Sequence, residues 1–338
     1  MGVLKTEDNR NITLTATELS ELWKNYIGET LLDCVYTHFK TNTNDERIKE
    51  LLEKAHNMTQ KHITKLKEIF DKDEFVLPNG FGDKDVIRDA PPLFTDKFYL
   101  FYLKEVSRIN LIQFSNALTV SFREDIREYF DECIDDTSEI HQDVMNSMLT
   151  KGMVIRAPYI PIPKTVEFIE SNKFLNNFFG KERPISATEI MGVYVNLDSN
   201  QFGKSLMIGF SQVIESEEIK KYMLEGRDLA QKNVKALQDM LTKDHLPAPQ
   251  LWDPEVLESK AAPFSEKLML YHIALANVGS VLNYGVGFTS TYRYDLATDF
   301  LRLVSEIAKF SNKGVKLLIE KGWLEQPPLA ADRDKLAK

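Results

Sequence analysis

Glu53 and His56 stand three residues apart in the run Glu53-Lys54-Ala55-His56. On a helix that spacing brings a carboxylate and an imidazole to one face. Bundle proteins that hold a di-iron or di-manganese pair use two such Glu-x-x-His pairs and two further inward glutamates. Glu29 and Glu105 could supply part of that set. The fourth helix of the same region carries Glu132, Asp135, Asp136, Glu139 and His141 but no Glu-x-x-His. Glu53 is also out of phase: with Ile48, Ala55, His62 and Ile69 facing inward, it falls on the water side of its helix. A metal-dependent oxidase or iron-binding site built from Glu29, Glu53, His56 and Glu105 is therefore the alternative reading, and no metal or other cofactor is the expectation.

A second set of polar residues sits on apolar stripes. His62 and Asn233 occupy matching places on two helices, and Tyr102 and His272 occupy matching places on two others. Buried polar side chains need hydrogen-bond partners. The stripes predict a small polar cluster inside each bundle, His62 with Tyr102 in one and Asn233 with His272 in the other. Such a cluster either fixes helix register or anchors a ligand in a pocket. Arg123-x-Asp125 and Arg293-x-Asp295 each open a helix, where the aspartate suits the first turn and the arginine can tie the helix end to a neighbouring loop. The sequence contains no glycine-rich phosphate loop, Gly-x-Ser-x-Gly or Cys-x-x-Cys.

These residues are carried by a duplicated unit. Ile48 to Phe70, IKELLEKAHNMTQKHITKLKEIF, returns as IKKYMLEGRDLAQKNVKALQDML from Ile219 to Leu241. Leu14-Thr15-Ala16-Thr17-Glu18-Leu19 returns as Ile185-Ser186-Ala187-Thr188-Glu189-Ile190, and Lys151-Gly152 as Lys321-Gly322. A period of roughly 170 residues is far longer than a solenoid repeat and is the size of a whole domain. In the second copy Glu53 and His56 become Leu224 and Arg227, while Glu29 and Glu105 become Asn200 and Leu275. A second metal set is thus excluded there.

Each copy predicts four long helices, at about 16–39, 46–72, 95–120 and 123–151 in the first. Thr15-x-x-Glu18 and Ser186-x-x-Glu189 are capping boxes. Residues 73–93, with Pro78, Gly80, Gly82, Pro91 and Pro92, are long enough to carry the chain from one end of a bundle to the other. The fold class is all-α: two tandem ferritin-like four-helix bundles, up-down-down-up, with the long crossover between helices 2 and 3. The domains are 1–152 and 185–338. The connector 153–184, rich first in proline and then in aromatic residues, is expected to pack along both bundles and fix their orientation.

A hydrophobic content of 43% with 28% charged residues describes a globular chain, and no apolar run reaches the ~20 residues of a membrane span. The N-terminus lacks the apolar core of a signal peptide, and Cys34 and Cys133 read as reduced interior residues, so a cytoplasmic location is expected. A net charge of -9, with no basic stripe, argues against nucleic acid.

The residues also resemble the tandem form of an uncharacterised ferritin-like domain-of-unknown-function family, numbered three-two-three-one, of Bacilli and other spore-forming Firmicutes. The resemblance lies in 14–81 with Pro78-Asn79-Gly80-Phe81, in Arg88-Asp89-Ala90-Pro91-Pro92-Leu93-Phe94, in Pro263-Phe264-Ser265-Glu266-Lys267-Leu268-Met269 and in Gly322-Trp323-Leu324-Glu325-Gln326-Pro327-Pro328. It implies the bundle fold and, through the organisms that carry the family, a link to sporulation or stress; it implies no catalytic residue. The expected function is non-enzymatic binding of a protein partner or a small apolar ligand, with the oligomeric state open.

Overall fold

The computed structural model describes residues 12–175, 183–249 and 251–337. The first half holds α1 (Ala16–Asn42), α2 (Glu46–Lys72), α3 (Asp96–Thr119) and α4 (Glu124–Thr150). The second holds α5 (Ala187–Val213), α6 (Glu217–Thr242), α7 (Glu266–Thr289) and α8 (Tyr294–Glu320), and a short α9 (Arg333–Leu336) follows. Among the described residues there is no strand beyond two isolated bridges. None of the described helices is long and apolar enough to cross a membrane.

Helix ends show the up-down-down-up order. Glu18 completes its capping box with Thr15, and its other oxygen accepts the backbone N–H groups of Phe122 and Arg123, both at 2.8 Å. The start of α1 is thereby joined to the start of α4. Arg123, almost fully buried, bonds Asp125 and reaches Asp73 at the end of α2. Three helix ends are thus tied at the base. Glu189, Arg293 and Asp295 repeat the arrangement in the second bundle.

From that base the first crossover climbs beside α1. Thr30 in mid-helix accepts the Phe81 N–H at 3.2 Å, and His38 near the top donates to the Ala90 carbonyl at 3.1 Å. Gly80 makes the turn: its φ is +59°, and a Cβ there would lie 2.4 Å from the Thr30 hydroxyl. The tail after α8 braces the same turn, because Glu325 accepts the N–H groups of Asn79 and Gly80.

The two crossovers pair with each other. Ile87 N–H donates to Pro263 and Ser265 N–H to Asp85, while Thr95 N–H donates to Glu255 and Leu257 N–H to Leu93. Ser265 also bonds the Asp85 carboxylate, and Thr95 bonds the Glu255 carboxylate. These are equivalent residues exchanged between copies, so the bundles are related by a quasi-twofold axis. Aromatic packing continues along the axis. Phe39 meets Phe94, Phe264 and Tyr102, and its counterpart Phe210 meets Phe264, Phe94 and His272. One hydrophobic cluster consequently runs through all eight long helices; a second, smaller one fills the base of the first bundle alone.

The connector differs from expectation. Met153 and Val154 pack on the core and the Ile155 carbonyl accepts the Tyr194 hydroxyl, but every residue from 159 to 173 is exposed. Pro161, Pro163, Lys164, Glu167 and Glu170 interrupt its apolar residues and leave no continuous face to bury. The chain returns to the second bundle at Phe174, whose ring lies 6.3 Å from that of Tyr292. Phe178 and Phe179 lie outside the described residues. Crossover pairing and the aromatic axis set the orientation instead.

In the second bundle α5 and α7 touch backbone to backbone: a Cβ on Gly192 would lie 2.9 Å from the Gly287 Cα. Gly192→Ala gains helix propensity worth about 1 kcal/mol but must part the two helices, at a cost of about 1–3 kcal/mol. Chemical denaturation should therefore show a net loss of stability; a more stable variant would contradict this packing.

Candidate functional site

His62 points into the first bundle from α2 and Glu29 meets it from α1. The His62 Nδ1 lies 2.9 Å from Glu29 Oε1, and its Nε2 lies 3.3 Å from Asp136 on α4. His62 and Glu29 are both nearly inaccessible, whereas Asp136 reaches solvent and also takes Lys61. Burial alone would push the imidazole down, but the Glu29 carboxylate outweighs it and His62 is pushed up to about 11. His62 is therefore protonated at neutral pH, facing the Glu29 carboxylate. Glu29 Oε2 has no hydrogen-bond partner.

Beside this pair is a cavity of about 220 Å³ between the bundles. Its walls come from α1, α3, α5 and α7, with Phe130 of α4, and are mainly apolar: Leu32, Val106, Phe114 and Phe202 among them, with Glu29 and the Tyr102–His272 pair contributing polar atoms. Glu21, Lys24, Asn25, Asn110 and Gln113 also border it. The cavity falls where the core of the first bundle divides, since Leu31, Leu32 and Tyr102 belong to the shared cluster and Phe114, Ala117 and Phe130 to the basal one.

Gly28 borders the same space from the interior of α1. Glycine there costs about 1 kcal/mol relative to alanine. No close approach accounts for it, because an added Cβ would meet nothing within 4 Å. What the missing side chain does is leave the cavity open.

The second bundle has the same layer with other chemistry. Asn200 and Asn233 replace Glu29 and His62, and Tyr284 replaces Phe114. The Tyr284 hydroxyl donates to Asn200 Oδ1 at 2.8 Å and accepts from Asn233 Nδ2 at 3.1 Å. Ser199 stands in the place of Gly28 and borders a void of about 30 Å³ that lies inside the second bundle, among α5, α6, α7 and α8. Asn233 Oδ1 has no hydrogen-bond partner in this layer.

Two polar clusters of the expected membership do not form. Tyr102 does not join His62, nor His272 Asn233. Tyr102 and His272 instead meet each other on the quasi-twofold axis, hydroxyl to Nε2 at 2.6 Å. Equivalent positions of two copies are neighbours only at a symmetry axis, which a stripe on one helix does not reveal. Burial holds the His272 imidazole neutral, pushed down to about 4. Its Nδ1 has no hydrogen-bond partner.

The four residues of the metal alternative go to separate places. Glu53 is exposed. His56 is buried between Thr37, Lys40 and Asp33. Glu105 is buried with Arg108 at 2.7 Å and Lys104 at 3.1 Å, and the two cations hold its carboxyl down against the opposing effect of burial. Lys104 in turn reaches Asp198, and Arg108 reaches Asn283, so this charge cluster bridges the bundles. Among the described residues, no group of three or more His, Cys, Asp or Glu side chains is arranged to hold a metal. Both cysteines are free and buried.

Sequence reasoning passed over Gly28, the Phe114/Tyr284 exchange and the contact of Asp136 with His62. An isolated glycine inside a strong helical pattern is itself a signal that something needs its space. The other two become visible only when the copies are compared layer by layer.

Residues 4–166 and 173–336 each match the family described as "Protein of unknown function (DUF3231)". A crystal structure of a candidate spore coat protein from Bacillus halodurans is similar at 21% identity, covering 46% of this chain and 99% of that one, with a TM-score of 0.43. No curated protein matches.

The His62–Glu29 pair makes a pH prediction. Because the folded pKa of His62 lies above the usual histidine value of about 6.5, its stabilisation is complete below that value and is lost as pH rises through about 11. Nitrogen NMR should show a doubly protonated His62 imidazole at about pH 9; a neutral ring there would contradict the ion pair. His62→Ala, which strands a buried charge, should cost about 3–5 kcal/mol.

Proposed function

We propose that this chain, which belongs to the DUF3231 family of proteins of unknown function, is a non-enzymatic protein that binds a small, largely apolar molecule between its two bundles. The observation that carries the reading is the cavity kept open by Gly28. An apolar space open to solvent leaves its lining without packing partners, and a helix glycine adds a cost of about 1 kcal/mol relative to alanine. The second copy carries Ser199 at the place of Gly28 and Tyr284 at the place of Phe114.

Size and lining narrow the ligand. An apolar cavity of about 150 Å³ holds benzene, so about 220 Å³ suits a single-ring molecule with a short substituent. The side chains around it support binding rather than turnover, since Glu29 is held by His62, and Tyr102 and His272 are held by each other. A cytoplasmic place for the protein, and a role in sporulation or stress, belong to this same proposal.

Indole, titrated calorimetrically, is a suitable first probe. The unsubstituted chain should bind it at one saturable site. Gly28→Phe should remove that binding while melting at the same temperature or higher, because the ring enters open space. Unchanged binding by Gly28→Phe would contradict the proposal, as would no binding by the parent chain.

A further inference from the structure

We infer that the molecule bound in this cavity carries a hydrogen-bond donor head, an alcohol or amine rather than a carboxylic acid, and that this head bonds Glu29. The inference rests on the cavity reading above and adds the chemistry of the ligand's polar end.

The argument comes from comparing the two copies at one layer. In the second bundle the α5 acceptor, Asn200 Oδ1, takes its hydrogen bond from the Tyr284 hydroxyl. In the first, the equivalent α1 residue is Glu29 and the equivalent of Tyr284 is Phe114, which lacks the hydroxyl. Phe114 and Glu29 both border the cavity, and Glu29 Oε2 is left without a partner although the residue is 99% inaccessible, at 1% relative exposure. The first bundle gives Glu29 Oε1 the His62 donor but leaves Oε2 without the hydroxyl donor that Tyr284 provides in the second. An ionised carboxylate accepts hydrogen bonds and cannot give them, so a carboxylate ligand would meet repulsion there. A hydroxyl or ammonium would occupy the role of the Tyr284 hydroxyl, with its apolar body lying against Leu32, Val106 and Phe202.

Four probes of matched size test this: ethylbenzene, benzyl alcohol, benzylamine and benzoate, each titrated into the full chain and into Phe114→Tyr. Hydrogen bonds to a charged partner are worth about 1.5–3 kcal/mol, or roughly tenfold to a hundredfold in affinity. Benzyl alcohol or benzylamine should bind at least about tenfold more tightly than ethylbenzene, and benzoate should not bind. The stronger of the two donors identifies the head as hydroxyl or ammonium. Phe114→Tyr imitates a layer that already folds in the second bundle. It should erase the advantage of the donor probes by presenting its own hydroxyl to Glu29. Ethylbenzene and benzoate binding as tightly as the donors would overturn the inference and leave the apolar cavity standing. A donor advantage that survives in Phe114→Tyr would also overturn it. Failure of all four probes together with indole would overturn the cavity reading itself.

Discussion

The quasi-twofold axis between the bundles is the constraint on which the rest depends. Phe39 and Phe210, Phe94 and Phe264, and Tyr102 and His272 are three pairs of equivalent residues, and all six side chains pack in one aromatic knot. The crossovers extend the same symmetry with reciprocal backbone and side-chain hydrogen bonds. A single four-helix unit could bury the inward stripes of its helices alone. The outward faces of α1, α3, α5 and α7 are covered because the second copy is there. This explains why one hydrophobic cluster spans both copies, and why a connector that stands largely in solvent can join them without fixing their arrangement.

Symmetry also makes the departures from it informative. One layer of each bundle carries a polar group on the first two helices, and the two copies satisfy it differently. The second uses neutral amides and a tyrosine. The first uses a buried ion pair, splits its core into two clusters and leaves a cavity at the break. Buried ion pairs are costly to desolvate and are often matched in stability by apolar replacements. Stability alone therefore gives no reason for Glu29 and His62.

Much of the architecture was legible in the sequence because it is local. Capping boxes at Thr15 and Ser186, the 3.6-residue stripe of α2, and the terminating Gly152 each reflect short-range physics, and the helices begin and end within a few residues of where these signals place them. The internal repeat supplied the two-bundle organisation. The axis was hidden, since nothing in a repeat says which face of one copy meets the other. That is why Tyr102 and His272, correctly placed on matching stripes, were assigned to separate clusters although they touch. Glu29 was noticed for metal chemistry and proves to be the partner of His62, a pairing that requires knowing which helix turns lie level. The connector misled in the opposite sense: its aromatic and aliphatic residues suggested burial, and the intervening prolines and charges prevented it.

On the function proposed above, divergence of one layer opens an apolar binding cavity beside Gly28 in the first bundle. A crystal of the chain under xenon pressure tests it most directly, because xenon enters open apolar space and not filled or polar space. Xenon density is expected beside Gly28, between Leu32, Val106 and Phe114, and not in the Asn200–Asn233–Tyr284 layer. Ordered waters filling the Gly28 site without xenon, or xenon bound equally in both layers, would contradict it.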